Sequence, residues 1–395
     1  MTVYQARRRV APAFWIGAVV VVLVAGGVAG ALIATSKPRS PSPLHSKRNS
    51  SATSKAGNSS STPPPALSVV SVSPAANAAN VPGTTTVSVT FSSPISQGSA
   101  QPAFSPSVPG SWNSSGDVLT FTPAGAFDPS SEVTLTIPGG STGVRSSNGA
   151  VLSGDVVQRF RVASGSILRL QQLLSLLQYS PLSWTPAGTT MAPSDTAAQE
   201  AALFTPPQGT FTWIDAGWPG ELRKLWKEGS YNVFTKGVVM SFQADHGLNP
   251  NGNVGPTLWK SLVDALAAHS VNSGGYNYAL ANKKAPESFT IWHDGHVVLR
   301  SEMNTGIANS PTPDGNFTVF TRLRTQIMRG TNPDGSKYAD PVQFIAYFHR
   351  NDAVHYMDRA DYGIPQSLGC IELPLPDAER AWPFLAYGTL VSIIH

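Results

Sequence analysis

The apolar residues change their spacing several times along the chain. From Ala11 to Ala34 the run is apolar and uncharged, and Arg7, Arg8 and Arg9 precede it. About 20 apolar residues cross a bilayer as a helix, so residues 11–35 are expected to form a transmembrane helix. The arginines place residues 1–10 in the cytoplasm and everything after the helix outside it. A cleaved signal peptide is the competing assignment, with Ala29-Gly30-Ala31 as a small-residue cleavage site. The run exceeds the usual ~7–15 residue apolar core of such peptides, which favours the anchor. Residues 36–65 are rich in Ser, Pro, Lys and Asn and carry almost no large apolar side chains, so they are expected to be a flexible linker.

Residues 66–163 switch to short alternating runs. Val69 to Val72, Thr86 to Phe91, Val118 to Phe121, Val133 to Ile137 and Val156 to Val162 each predict a strand, and turn residues separate them. The expected architecture is a β-sandwich. Residues 166–268 take a helical period instead: Leu168, Leu170, Leu173, Leu174, Leu176 and Leu177 fall on helical spacing. Residues 181–208 are rich in Pro, Thr and Ala and predict a loop, and Glu221 to Trp226 predict a second short helix. Val238, Val239, Phe242 and Gln243 predict a third, closed at His246-Gly247 by a left-handed glycine cap, with a turn at Asn249 to Gly252 and another helix from Thr257.

Residues 286–395 return to strands. Ser288 to Trp292 and His296 to Leu299 flank Asp294-Gly295, a hairpin signal. Phe317 to Phe320, Phe344 to Phe348 and Leu390 to Ile394 predict further strands, and Asp377 to Leu385 a short helix. The fold class is thus multidomain: transmembrane helix, β-sandwich, small helical domain, and a mainly-β C-terminal domain.

Composition narrows the chemistry. The net charge of +4 in 395 residues leaves no basic footprint for nucleic acid. No spacing of His, Cys, Asp and Glu calls for a metal, and His246 stands alone at a helix end. Cys370 is the one cysteine of the chain, so it cannot pair within it. Either it is a small buried apolar residue or a reactive thiol. A reactive thiol needs a base nearby and donors for the oxyanion. Five of the eight histidines, His293, His296, His349, His355 and His395, lie in the C-terminal domain. His355 sits in the apolar frame Ala353-Val354-His355-Tyr356-Met357, which would half-bury it on a strand, whereas His349 beside Arg350, Asn351 and Asp352 reads as an exposed turn. Gly369 allows a tight turn before the thiol.

Three stretches resemble known families. Ser73-Pro74-Ala75 and Val87 to Phe91 resemble the opening of bacterial Ig-like domains. Gly237 to Leu262 resembles the three-helix peptidoglycan-binding module at Phe242, Gln243, His246, Gly247, Leu248, Gly252, Val254, Gly255, Trp259 and Leu262. The C-terminal domain resembles the YkuD-like L,D-transpeptidase catalytic domain at Thr312-Pro313-Asp314-Gly315-Asn316-Phe317, His355, Ser367-Leu368-Gly369-Cys370 and Gly388-Thr389-Leu390-Val391. That resemblance implies Cys370 as nucleophile, His355 as proton donor and acceptor, the Tyr356 carbonyl orienting His355, and a backbone oxyanion site at Gly369. It places Ser367, Leu368 and Glu372 at the substrate. It implies no metal and no cofactor, and as partners the peptidoglycan stem peptides of the cell wall.

Two residues depart from the family pattern. Leu368 replaces a histidine, and Glu372 stands where Arg or Asn is usual. Glu372 either reverses a charge next to the substrate or is a solvated residue at a strand end, and the Gln366 amide is a candidate replacement donor. The reaction implied is cross-linking of stem peptides through a cysteine acyl-enzyme at the outer face of the cell membrane. An L,D-carboxypeptidase using the same cysteine and a non-catalytic wall-binding scaffold are the alternatives.

Overall fold

The computed structural model describes residues 66–395. The expected cytoplasmic segment 1–10, transmembrane helix 11–35 and linker 36–65 lie outside the described residues. Among the described residues no helix is long and apolar enough to cross a membrane.

The first domain is a sandwich of two antiparallel sheets. Its strands are β1 (Val69–Ser73), β2 (Val87–Phe91), β3 (Ala103–Ser105), β4 (Gly110–Ser115), β5 (Val118–Pro123), β6 (Glu132–Ile137) and β7 (Val156–Arg161). One sheet runs β1-β2-β5-β4 and the other β3-β6-β7. Along β2, Val87, Val89 and Phe91 are buried while Ser88 and Thr90 are only half-buried, the period of two that lets one face meet the core. Phe127 fills the centre, edge-on to Phe160 at 5.4 Å and to Phe104 at 5.3 Å. The sequence pattern did not predict β3 and β4. β3 is only three residues long, and β4 is polar and largely exposed. Both borrow their register from neighbours, β6 and β5.

The second region contains α1 (Ile167–Leu176), β8 (Leu182–Pro186), α2 (Thr196–Ala202), β9 (Gly209–Trp213), α3 (Gly220–Arg223), α4 (Val233–Asp245) and α5 (Pro256–Ala267). Ser166 caps α1 and Asn232 caps α4 through side-chain oxygens that accept backbone N–H groups. Gly247 follows α4 at φ +67, the left-handed cap expected of it. The Gln243 amide grips the following turn, accepting from Gly252 N–H at 2.8 Å and donating to Asn253 O at 3.0 Å. Residues 181–208 are not a plain loop. Part of them forms β8, which pairs with β9, and another part forms α2, capped by Asp195. β8 is a short exposed-and-buried alternation whose partner lies beyond a helix, so local spacing hides it.

The third region holds two sheets. β10 (Asn277–Asn282), β11 (Ser288–His293), β12 (His296–Glu302), β13 (Gly315–Thr318), β14 (Thr321–Thr331), β15 (Lys337–His349), β16 (Asp352–Tyr356), β17 (Ile371–Leu373), α6 (Leu375–Ala381) and β18 (Leu390–Ile394) follow in order. One sheet is β12-β11-β10-β18-β13 and the other β14-β15-β16-β17. β10 is the central strand of the first sheet and precedes residue 286, where the domain was expected to begin. Its small residues, Ala279 and Ala281, gave no strand signal, yet both are fully buried against Phe289 and Ile291.

The helical region and the first of these sheets share one core. Trp259, Phe242 and Leu258 from the helices cluster with Tyr276, Tyr278, Trp292 and Leu390. Gly237 of α4 sits so close to the C-terminal domain that a Cβ there would lie 2.5 Å from the Gly388 carbonyl oxygen. Ser241 Oγ donates to Tyr387 O at 3.0 Å on the same face. Gly237→Ala is therefore expected to destabilise the protein by about 1–3 kcal/mol. Helix propensity alone would stabilise it by ~1 kcal/mol, so denaturant unfolding that shows a gain would contradict this packing.

Candidate active site

Cys370 ends a turn that hydroxyl groups hold from inside. Ser367 Oγ donates to Cys370 O at 2.6 Å and accepts from Gly369 N–H at 3.1 Å. Thr312 Oγ1 donates to Gly369 O at 2.9 Å and accepts from Gly306 N–H at 2.9 Å. Ser310 Oγ donates to Leu368 O at 2.9 Å. Thr305 O accepts from the N–H groups of Gln366 and Ser367 at 2.8 and 2.9 Å. Thr305 is itself held by the buried Glu287 carboxylate, which accepts from its N–H at 2.7 Å and from its hydroxyl at 2.6 Å. Gly369 adopts φ +117, and a Cβ there would meet Asp352 Oδ1 at 2.6 Å, so the turn requires glycine twice over.

His355 arrives from the neighbouring strand. β16 and β17 pair in parallel with His355 opposite Glu372. Residues that alternate along each strand share a face, so Ala353, His355 and Met357 lie on the side of Cys370 and Glu372. Cys370 and Met357 both pack against the small cluster of Val342, Ile345 and Ala353. His355 is only 3% exposed, and its Nδ1 lies 2.8 Å from Tyr356 O. A carbonyl only accepts, so the proton sits on Nδ1 and Nε2 is left as a lone-pair base. Burial lowers the His355 pKa, against the opposing pull of the Tyr356 carbonyl and Glu372, which keeps the ring neutral at pH 7. Cys370 is half-buried. Desolvation pushes its pKa up to about 12, with Asp352 and Glu372 adding to the rise and the Ala353 backbone opposing it. The resting group is a thiol whose Sγ lies 3.9 Å from Asn351 O. Among the described residues no direct hydrogen bond links Cys370 to His355.

The turn also sets where each expected site residue lies. The Gly369 N–H is committed to Ser367, whereas no hydrogen bond of the described residues engages the Cys370 N–H. The backbone N–H left free in this turn is therefore that of Cys370. Ser367 is buried and spends its hydroxyl within the turn, where it holds the backbone at Cys370. Leu368 is half-buried, with its carbonyl tied to Ser310. The Gln366 amide donates to Asp361 O at 2.8 Å and faces its own loop.

Glu372 is neither solvated nor a free charge. It is 4% exposed and takes a bidentate pair from Arg359, with Nε and a terminal nitrogen at 2.8 and 2.7 Å. Its backbone bridges Asn304 in both directions, at 3.0 and 2.9 Å. His349 is not an exposed turn residue either; it closes β15 with Nδ1 2.9 Å from Asp352 Oδ2 and its ring against Phe317.

The sequence pattern singled out Thr312 within a motif and gave it no role. Glu287, Thr305, Asp352 and Arg359 carried no signal beyond being polar residues between apolar ones. Among the described residues no cluster of His, Cys, Asp and Glu has the arrangement of a metal site.

With this geometry, a neutral base and an uncharged thiol share one face beside a free backbone donor, an arrangement suited to acyl transfer. Residues 276–393 match the family model described as the L,D-transpeptidase catalytic domain, and residues 61–162 match the bacterial Ig-like domain. Solved structures are similar at low scores. L,D-transpeptidase 3 from Mycobacterium tuberculosis with a faropenem-derived adduct is 16% identical, over 83% of this chain and 98% of that one, at a TM-score of 0.28. An L,D-transpeptidase from Mycobacterium smegmatis is 14% identical over 83% and 98%, at 0.28. The catalytic domain of the E. faecium L,D-transpeptidase acylated by ertapenem is 25% identical over 30% and 97%, at 0.27. Among curated proteins none matches the chain.

Removing one member of a buried ion pair strands the other. Glu372→Gln is expected to destabilise the protein by about 2–3 kcal/mol, below the usual ~3–5 kcal/mol because Arg359 keeps some water. Double substitution with Arg359→Met should recover part of that loss in thermal unfolding. A single variant as stable as the parent would contradict the pairing.

Proposed function

We propose that the chain is an L,D-transpeptidase that cross-links peptidoglycan stem peptides through a thioester on Cys370. The observation that supports this best is the orientation of His355, with Nδ1 bound to Tyr356 O and Nε2 free on the face of the thiol. As Sγ attacks the carbonyl of the third stem residue, the Sγ–C bond forms and the thiol proton passes to Nε2. The developing oxyanion is met by the Cys370 N–H. Collapse breaks the C–N bond to the terminal D-alanine, and the proton from Nε2 goes to that leaving amine. The side-chain amine of a neighbouring stem then attacks the thioester, loses a proton to Nε2 and forms the new amide, and the proton returns to sulfur.

The high pKa of the thiol fits this order of events, because a stable thiolate never has to exist in the free protein. The remaining domains are read the same way. Residues 11–35 anchor the chain in the cell membrane, residues 36–65 and the Ig-like domain carry the active domain outward, and the helical region binds the wall. The catalytic domain then faces the cell wall outside the cytoplasm.

The test is product analysis with a defined tetrapeptide donor, together with intact mass after exposure to a carbapenem. The parent protein is expected to release D-alanine, form dimer and gain one adduct, and Cys370→Ala to do none of these. Free D-alanine without dimer would assign a carboxypeptidase, and neither adduct nor D-alanine would overturn the enzymatic reading.

A further inference from the structure

The long hairpin of β14 and β15 runs past Cys370 and has two unlike faces. Exposure alternates along the start of β15: Lys337, Ala339, Pro341 and Gln343 are exposed, Tyr338 and Asp340 are half-buried, and Val342 is buried. β14 answers in register. Met328 lies opposite Asp340 and Gly330 opposite Tyr338, both half-buried between exposed neighbours. Residues that alternate along a strand share a face, so Tyr338, Asp340, Val342, Met328 and Gly330 form one inward face. Val342, Ile345 and Ala353 make the small cluster on which Met328, Tyr347, Met357 and Cys370 all pack. The inward face is therefore a wall of the thiol site, apolar beside Cys370 and continuing outward to Asp340 and Tyr338.

Asp340 is the only carboxylate on either strand of the hairpin. It stands two residues from Val342, about 7 Å along the strand. The charged groups around it are engaged elsewhere. Arg359 makes its bidentate pair with Glu372, and Asp352 pairs with His349. Arg322 and Arg324 stack on Trp382 and Phe344, and Arg329 and Lys337 belong to the exposed outer face. Asp340 is left unpaired among the described residues. Its charge still reaches the site. Burial raises the Tyr338 pKa, and the charges of Cys370 and Asp340 add to the rise, so both groups lie near that phenol. Arg359 is held above the usual arginine value by Glu372 foremost, with Asp340 adding to it. The Tyr338 ring itself lies against Gly330, where a Cβ would come within 2.4 Å of it. Half-burying a carboxylate on an apolar wall costs free energy that no cation of the chain returns.

We propose that this wall is a subsite for a substrate side chain that is aliphatic along its length and ends in an ammonium group, with Asp340 as the specificity-determining residue. Met328, Val342 and Met357 suit the methylenes, the Asp340 carboxylate takes the cation, and the Tyr338 ring beside it offers a π face to the same charge. In the reaction set out above, that side chain belongs to the third residue of the acyl donor, whose carbonyl meets Sγ while its own side-chain amine takes no part. The assignment to a stem peptide rests on that reading; the preference for a cation beside the thiol rests on the hairpin alone.

The test labels the full chain at Cys370, its one cysteine, with the cationic aminoethyl and the anionic sulfonatoethyl methanethiosulfonates near neutral pH and at low salt. The ratio of the two rates, read by intact mass, is normalised to the same pair acting on a small free thiol. A ratio cancels any change in thiol ionisation, which scales both rates alike. The parent is expected to prefer the cationic reagent, and Asp340→Asn to cut that preference roughly three- to tenfold. Asp340→Glu should keep it, and Asp358→Asn, which removes an exposed carboxylate outside the hairpin, should leave it unchanged. In turnover, a tetrapeptide with a diamino acid at its third position should release D-alanine with a lower KM than one with norleucine there, and Asp340→Asn should remove the difference. A parental preference no greater than that of the free thiol, a preference that Asp340→Asn leaves in place, or equal KM for the two peptides in the parent would overturn the proposal. Because labelling needs no turnover, a chain that releases no D-alanine yet keeps its Asp340-dependent preference would lose the transpeptidase reading and retain the cation subsite.

Discussion

The site depends on the parallel pairing of two short strands. β16 carries His355 and β17 carries Glu372 directly opposite. A slip of one residue in either strand would turn its side chains to the other face and separate the base from the thiol. The register is locked at two places. At one end the Met357 N–H donates to Leu373 O, and along β17 the Glu372 backbone bridges Asn304. β17 has only three residues, all buried, so it contributes little pairing of its own. Its placement comes from what surrounds it.

What surrounds it is a frame of buried polar groups with every partner supplied. Glu287 holds Thr305, Thr305 holds the start of the turn that leads into Cys370, and Thr312 and Ser367 hold its end. Such networks fix one geometry because any half-made version leaves a buried polar atom unpaired. The Glu372–Arg359 pair follows the same logic with charge. Glu372 favours protonation of His355 and Arg359 opposes it, so the pair keeps a carboxylate beside the site while limiting its effect on the base.

Much of this fold was legible in the chain. Strong alternation revealed β2, β5 and β6, and the Asp294-Gly295 turn revealed the β11–β12 hairpin because both residues take positive φ. Among the elements missed, three had no pattern of their own: β4 is polar, β8 has a distant partner, and β10 uses alanine for close packing. The same division holds in the site. Cys370, Gly369 and His355 announced themselves by residue type and surroundings. Glu372 misled, because a carboxylate near an expected anionic substrate looks like a reversed charge until Arg359, thirteen residues earlier, is seen to neutralise it. Only the tertiary fold brings Glu287 to Thr305 or Asp352 to Gly369.

The most direct measurement is the acylation rate against pH, with the parent protein and His355→Ala. Burial lowers the His355 pKa from its usual 6.5, so the base stays neutral at pH 7 and below it. The thiol, with its pKa pushed up to about 12, does not ionise by itself in the neutral range. The account predicts a rate that is flat from about pH 7 to 9, falls only below about 6.5 as the base protonates, and is lost in His355→Ala. A rate that climbs through about pH 8–9 as an ordinary thiol ionises, with the same profile in His355→Ala, would contradict it.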